Sequence, residues 1–464
     1  MSDAPDRTGS SGSAPAGPAP APHPRETFAT RLGLLATMIG VAVGLGNVWR
    51  FPYMAGRHGG AAFVLLYLLL ALLIGVPALM AEWSLGRSTR RGPLGAFDRA
   101  GLPGGRAVGV LLFVIVMTAI GYYTDAIGWV VYHGIAEALA PFGRPLDPSH
   151  ILPPGSGFSA RSFALQIVMT ALILLAQAAV ILRGLRAGIE RASRILTPVL
   201  FVSLAILIVR GVTLPGASAG LRWYLSFNAA DVTPSVVVAA LGQVVFSLAL
   251  GGTMMVVYGS YLGERENIRT DAALTVLGDT TAGFLAGLAI FPAVFALGLE
   301  PGSGPGLLFD TLPRVFAGIP GGWLFGVIFF GGLAGAAFLS GIAAFEVLAA
   351  GLSDTWGIPR PKATRIVLTA SMLLALPPMI NLKIFVPWDL TFGSGGQTFG
   401  SLVAVITVGW VMRRATLLEQ LGGQSPGALD RFLVRWLRWV VPAGVLAAAV
   451  WWLLTDVLGA AAGV

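Results

Sequence analysis

The segment that decides the fold is GVAVGLGNVWRFP, residues 40–52, which lies inside the first apolar stretch long enough to cross a membrane. Its three glycines each weaken a helix by about 1 kcal/mol relative to alanine. Asn47 and Arg50 follow the glycines, although neither a lipid-facing helix nor a glycine packing face requires such side chains. We therefore predict an unwound turn that lines a binding cavity, with a glycine packing face as the alternative.

The composition places the chain in a membrane. Of its 464 residues, 55% are hydrophobic and 11% are charged, and the mean hydropathy is +0.79. A water-soluble domain could not bury that much apolar surface. The absence of cysteine and the scattered positions of four histidines exclude a thiol nucleophile, a disulfide framework and a zinc site. The excess of basic residues lies in short loops, which indicates membrane orientation and not nucleic-acid binding.

The hydropathy pattern predicts eleven membrane-spanning helices. They fall at about 31–56, 60–86, 106–139, 161–183, 190–210, 235–262, 268–298, 321–354, 363–380, 386–412 and 431–458. Residues 1–24 are rich in Ser, Ala, Pro and Gly, and we expect them to form a disordered cytoplasmic tail. A cytoplasmic N-terminus places most of the 30 Lys and Arg residues on the cytoplasmic side, among them Arg87, Arg90, Arg91, Arg183, Arg186, Arg413 and Arg414. The odd number of helices then places the C-terminus outside.

A second glycine-containing break, SLALGG at residues 247–252, lies in the sixth span. Two broken helices five spans apart are expected of an inverted five-helix repeat with a site between the breaks. We therefore predict an all-α polytopic membrane protein with a core at 25–412. Its two repeats, helices 1 to 5 and helices 6 to 10, would occupy about 25–212 and 233–412, and 413–464 would form a linker and an extra eleventh helix.

The stretch RLGLLATMIGVAVGLGNVWRFPYMAGRHGGAAFVLLY at residues 31–67 and EWSLGR at residues 82–87 resemble the signature of the neurotransmitter:sodium symporter family. The likeness is to its bacterial amino-acid transporter branch, which has the LeuT fold, and it includes Tyr122 and Tyr123. The resemblance implies a secondary active symporter, not an enzyme, which takes up an amino acid with sodium by alternating access. It also implies the bacterial inner (plasma) membrane and makes no prediction of oligomeric state.

The resemblance also implies how an amino acid would bind. In this family the substrate carboxylate lies against the break in span 1 and a tyrosine of span 3, and the matching residues here are Ala42, Leu45, Gly46 and Tyr123. Monoamine transporters carry an aspartate where this chain has Gly44, so a substrate with a carboxylate is favoured. The positions around the substrate side chain match Ala119, Phe246, Ser247, Ala249, Gly252, Ser340 and Ala344. These mostly small residues predict room for an aromatic or other bulky hydrophobic side chain, limited in size by Ala249 and Gly252.

The first sodium site of the family is matched by Ala42, Asn47, Ser247 and Asp279. All four offer the oxygen ligands that a hard cation requires. Chloride-dependent relatives bind the anion near positions matching Tyr67, Gln243, Ser247 and Gly283. The carboxylate of Asp279 could supply that negative charge, so we expect no chloride requirement, with a purely structural aspartate as the alternative.

The second sodium site is matched less completely. Its ligand positions correspond to Gly40, Val43, Ala336 and Ser340, but Leu339 stands where the family has a hydroxyl. A missing ligand would weaken the site. Coupling through one sodium, or through a proton on Asp279, is therefore an alternative, as is a one-residue error of alignment within the run at residues 331–341.

Two ion pairs are implied at the mouths of the cavity. Arg50 would pair with Asp389 at the outer gate, and Arg25 with Asp354 at the inner gate. Plain surface pairs worth under about 1 kcal/mol are the alternative interpretation.

A membrane enzyme or a channel fits the sequence less well than a transporter. An enzyme needs reactive groups close together. Here the intramembrane acids are dispersed over three spans: Glu82, Asp279, Glu346 and Asp354. A channel would not need opposed ion pairs around one site near the middle of the membrane.

Overall fold

The computed structural model describes residues 26–143, 146–301, 307–422 and 427–454, and within these ranges the chain is helical, without β-strands. The predicted tail at 1–24 lies outside the described residues, as does Arg25. Seven described helices are long and apolar enough to cross a membrane, and the number rises to nine if each of two bent pairs counts as one span. An all-α polytopic membrane protein is thus confirmed, whereas the number of eleven crossings stays a prediction.

We number the helical segments as spans in chain order. The seven long spans are span 2, Ala61–Thr89; span 3, Gly105–Phe142; span 4, Ala160–Ile181; span 5, Leu185–Val212; span 7, Ile268–Ala296; span 8, Gly322–Trp356; and span 11, Ala428–Trp452. The others are span 1, Arg31–Ala42 with Gly46–Arg57; span 6, Pro234–Ser247 with Met254–Ser260; span 9, Arg360–Ala375; and span 10, Leu382–Val411.

Both predicted breaks are present. Span 1 leaves the helical conformation after Ala42 and resumes at Gly46, and its two segments are bent by 55°. Span 6 is interrupted between Ser247 and Met254. Ala249 and Gly252 within this interruption have positive φ angles of 50° and 65°. Glycine adopts that backbone conformation readily, which explains why a glycine stands in the interruption.

Span 2 packs closely on the second half of span 6. A Cβ atom added to Gly259 would lie 2.6 Å from Cα of Trp83, so only glycine permits this approach. The spans differ in how deeply they are buried. In the most apolar 18-residue segment of each span, 61% of the segment is buried inside the protein in spans 2, 7 and 8, against 33% in spans 5 and 11. The less buried spans place leucine, isoleucine and valine side chains on the outside, as lipid contact requires.

Polar contacts join several spans at the face where span 1 begins, which we call the N-face and define by Ala29, Arg31, Glu190 and Asp271. Glu190 Oε2 accepts a hydrogen bond from the Ala29 backbone N–H at 3.0 Å, and Arg31 Nη2 lies 3.2 Å from Asp271 Oδ1. The start of span 1 is therefore tied to spans 5 and 7.

Candidate binding site at the two broken helices

A cavity lies at the two breaks, among spans 1, 3, 6, 8 and 10. Nine residues predicted to surround the substrate line it: Ala42, Gly46, Ala119, Tyr123, Phe246, Ser247, Ala249, Ser340 and Ala344. Its walls are mostly apolar, and a few polar groups lie at the break of span 1. This combination is typical of a small-molecule site.

Two hydroxyl groups close over the break of span 1. The Leu45 backbone N–H donates to the Tyr123 hydroxyl at 3.5 Å, and the Ser340 hydroxyl donates to the Val41 carbonyl at 2.9 Å. A Cβ atom on Gly44 would lie 2.7 Å from Ser340 Oγ and 2.8 Å from the Tyr123 hydroxyl. Any side chain at position 44 would therefore displace both hydroxyls, which explains the glycine.

A compact polar cluster lies directly behind the cavity, formed by Asn47, Tyr67, Ser247 and Asp279, all buried. Asn47 Nδ2 donates to Asp279 Oδ1 at 2.7 Å and to Ser247 Oγ at 2.8 Å. The other carboxylate oxygen of Asp279 accepts from Ser247 Oγ at 2.7 Å and from the Tyr67 hydroxyl at 3.0 Å. The structure thus brings together Asn47, Ser247 and Asp279, three of the four predicted ligands of the first sodium, while Asn47 Oδ1 accepts a hydrogen bond from the Gly44 N–H at 3.1 Å.

The Asp279 carboxylate has no basic partner among the described side chains. None of the salt bridges between described side chains involves it. A buried negative charge is costly unless a positive charge compensates it. The nearby Ala42 carbonyl belongs to the last turn before the break, where helix carbonyls lack their usual partners. The carboxylate of Asp279 and the hydroxyls of Ser247 and Tyr67 therefore meet in one buried place, and oxygen groups of these kinds suit a hard cation.

The predicted second ion site contains an apolar side chain. Leu339 is buried, and a Cβ atom on Gly40 would lie 2.9 Å from Leu339 Cδ1. Leu339 thus faces the break of span 1, at the place where the resemblance requires a hydroxyl. Ala336 and Val43 are buried together in a neighbouring apolar cluster, and Ser340 contributes a hydroxyl directed at span 1.

Two predicted substrate residues occupy other places. Gly252 does not line the cavity: a Cβ atom there would lie 2.8 Å from the Gly400 carbonyl oxygen and 3.0 Å from Phe97. The left-handed backbone of Gly252 turns its side-chain direction towards span 10, so the predicted size limit at this position is wrong. Leu45 is also absent from the cavity wall, and it meets Tyr123 through its backbone N–H.

Sequence reasoning missed how Glu82 holds the break of span 6. Glu82 Oε1 accepts hydrogen bonds from the backbone N–H groups of Gly251 and Gly252, both at 2.9 Å. An acidic residue in the middle of an apolar span was a signal of function, but its partner is distant in the chain. Gln397 of span 10, which also lines the cavity, was not predicted either.

The predicted outer gate is not a direct ion pair. Between the described side chains of Arg50 and Asp389 the structure records no contact within 4.0 Å. Arg50 instead lies 3.4 Å from Gln243 Oε1, and its guanidinium group stacks over the Phe246 ring at 4.5 Å. Asp389 lies at the cavity wall with Tyr122.

The predicted inner gate cannot be compared in full, because Arg25 lies outside the described residues. Its predicted partner, Asp354, is exposed. The Asp354 backbone carbonyl accepts a hydrogen bond from Arg91 Nη1 at 2.9 Å.

Comparison with known proteins shows the family to which the chain belongs. The chain matches the sodium:neurotransmitter symporter family over residues 25–140 and 159–454. The chain belongs to this family. A sodium-dependent transporter of Haemophilus influenzae is 32% identical over 451 residues, which are 91% of this symporter and 97% of the relative. The sodium-dependent transporter YhdH of Bacillus subtilis is 31% identical over 445 residues, which are 90% and 96% of the two chains.

A solved structure agrees with this assignment. The crystal structure of MhsT in complex with L-phenylalanine is similar to the symporter with a TM-score of 0.81 and 30% identity. The match covers 92% of the symporter and 99% of the MhsT chain. The symporter is therefore a multi-pass membrane protein that carries out sodium-coupled transport, and it is not an enzyme. The expected LeuT fold is confirmed.

Proposed function

We propose that the symporter takes up a hydrophobic or aromatic amino acid together with sodium, by alternating access. The observation that carries this proposal is the buried carboxylate of Asp279, which has no basic partner in the part of the chain that the structure describes and which adjoins the cavity through Asn47 and Ser247. Sodium is cargo here, bound by Ala42, Asn47, Ser247 and Asp279. The binding of L-phenylalanine by MhsT supports an amino-acid substrate.

The substrate carboxylate would lie at the break of span 1. Backbone N–H groups at the start of a half-helix and a phenol hydroxyl are suited to a carboxylate. Both are available at Gly46 and Tyr123, which line the cavity. No acidic side chain stands at Gly44 to pair with an amine, so an amine without a carboxylate would bind poorly. The apolar walls formed by Ala119, Phe246 and Ala344 would hold the side chain.

The carboxylate of Asp279 would also make chloride unnecessary. Asp279 Oδ2 accepts hydrogen bonds from Tyr67 and Ser247, two groups that the resemblance assigns to the chloride site of other family members. A fixed negative charge there balances the positive charge of sodium, so a bound anion is not required.

We expect Asp279→Asn to make uptake dependent on chloride, with at least a tenfold lower rate when gluconate replaces chloride. The amide keeps an oxygen ligand but removes the charge, and the hydroxyls of Tyr67 and Ser247 can then donate to an anion. The wild type serves as the control and should be equally active in both anions. Equal activity of the variant in both anions would show that Asp279 does not replace chloride.

The second sodium site is expected to be weak or absent. Leu339 faces Gly40 where a hydroxyl ligand would stand, so one oxygen is missing and an apolar group adjoins the site. Coupling to a single sodium is therefore the favoured stoichiometry. Proton coupling is the alternative function, favoured by the same observation.

Orientation and conformational change follow the predicted repeats. We place the N-face in the cytoplasm and the C-terminus outside, because the eleven predicted spans would put most Lys and Arg residues in loops on the same side as the N-terminus. Two inverted repeats, about 25–212 and 233–412, would alternate access around the breaks. Opening towards the cytoplasm would then require span 1 to leave Glu190, a buried residue at the start of span 5.

We expect Glu190→Ala to favour the conformation that is open at the N-face. The variant loses the acceptor for the Ala29 N–H and the Thr30 hydroxyl, which hold the start of span 1. The chain has no cysteine, so Thr37→Cys in the buried part of span 1 provides a single labelling site. Thiol labelling of that cysteine should become about tenfold faster. The exposed acid Glu419, changed to alanine, is the matched control. Unchanged labelling in Glu190→Ala would contradict the proposal that Glu190 holds the start of span 1 in the closed position.

Uptake of a panel of labelled amino acids into proteoliposomes, under separate sodium and proton gradients, tests the proposed function. We expect accumulation of hydrophobic and aromatic amino acids driven by sodium. Accumulation driven only by a proton gradient would establish the alternative. Absence of uptake and of counterflow for every amino acid would contradict the proposal.

A further inference from the structure

The cavity extends beyond the positions that the resemblance assigns to the substrate. It continues between spans 3, 6 and 10, where apolar side chains form its walls: Leu112, Ile115, Val116, Ile120 and Met254. Ile115 lies eight residues before Tyr123 on the same helix, which places it about 12 Å away along span 3. An amino acid with its carboxylate near Tyr123 can reach this level only with a long side chain.

The polar side chain of Gln397 also lines the cavity. A Cβ atom on Gly251 would lie 3.4 Å from Cα and 3.6 Å from Cγ of Gln397, so span 10 contacts the break of span 6 here. Gln397 Oε1 is buried and accepts no hydrogen bond from the described part of the chain. A buried amide oxygen without a donor is costly, and a ligand that supplies one removes that cost.

We infer that the amide of Gln397 recognises a hydrogen-bond donor at the far end of the substrate side chain, and that the substrate is an aromatic amino acid with a ring N–H or O–H group. This inference rests on the proposed function and specifies its substrate. The apolar walls accept the ring of either an indole or a phenol, and Gln397 accepts its donor. Phenylalanine and aliphatic amino acids fit the same space but leave the amide oxygen unpaired.

This geometry predicts which member of a pair of similar amino acids binds more tightly. Tyrosine differs from phenylalanine by one hydroxyl, and tryptophan differs from 1-methyltryptophan by one ring N–H. A site that binds a donor rejects the analogue that lacks it, because its own polar group is then left unpaired. We expect the amino acid that carries the donor to bind at least about tenfold more tightly than the analogue that lacks it.

Competition binding to the purified full-length symporter in sodium tests the inference, with these four amino acids as probes. The wild type should bind tyrosine with higher affinity than phenylalanine, and tryptophan with higher affinity than 1-methyltryptophan. Gln397→Leu should remove both preferences while it binds phenylalanine at least as tightly as the wild type does. Thr398→Val is the matched control: the Thr398 hydroxyl donates to the Ser394 carbonyl at 2.8 Å and does not line the cavity, so both preferences should persist.

The outcomes separate the inference from the proposed function. Equal wild-type affinities within each pair would overturn the inference, even if Gln397→Leu failed to fold. Unchanged preferences in a Gln397→Leu variant that binds phenylalanine would also overturn it. In both cases the proposed function would stand. If none of the four amino acids binds, but the uptake panel shows sodium-driven transport of an aliphatic amino acid, the inference fails alone.

Discussion

Asn47→Ala and Asp279→Ala are each expected to abolish sodium-driven uptake while the protein still reaches the membrane in normal amount. Asn47 Nδ2 donates to both the Asp279 carboxylate and Ser247, so either change removes hydrogen bonds that hold together the buried cluster proposed to bind sodium. Loss of one partner from a buried charged cluster costs about 3 kcal/mol or more, which corresponds to an affinity more than about a hundredfold weaker.

Thr280→Ala is the control for these two variants. Thr280 is next to Asp279 in span 7, but its hydroxyl donates only within its own helix, to the Val276 and Leu277 carbonyls. This variant should transport at nearly the wild-type rate. Uptake is measured as a function of sodium concentration at equal protein per vesicle. A wild-type rate in Asn47→Ala or Asp279→Ala would remove that residue from the ion site.

Leu339→Thr is expected to change the order of the sodium dependence. In the wild type, one occupied ion site predicts a Hill coefficient for sodium of about 1. Threonine at position 339 would place a hydroxyl beside Gly40, in the space that Leu339 Cδ1 now occupies. A second site would then form, and the Hill coefficient should rise towards about 2.

Leu339→Val is the matched control, because valine has the shape of threonine without the hydroxyl. It should keep the wild-type order in sodium. A wild-type coefficient of about 2 would show that another hydroxyl supplies the missing ligand. Thr197 of span 5 would be the first candidate, since its Oγ1 lies 2.8 Å from the Cβ position of Gly40.

The breaks could be predicted from local sequence because clustered glycines destabilise a helix wherever they occur. The grouping of Asn47, Ser247 and Asp279 could not be derived in that way: it rested on the resemblance, since these residues lie on three spans far apart in the chain. The structure places them in hydrogen-bond contact.

Other features of the site depend on the direction of a side chain or on contacts between distant residues, and neither can be derived from the sequence. The alignment located Gly252, but its positive φ directs a side chain away from the cavity. Glu82 meets Gly251 across 169 positions of the chain, and no local pattern marks such a partner. Gln397 lies on span 10 beyond the motifs that carry the resemblance, so only the cavity identifies it.

An experimental structure of the symporter determined with sodium and a bound amino acid tests the central claim most directly. We predict the substrate carboxylate at the break of span 1 beside Tyr123. A cation should touch that carboxylate and oxygen atoms of Asn47 and Asp279. An amino acid bound elsewhere, or bound at the break with no cation in contact with Asp279, would contradict the account.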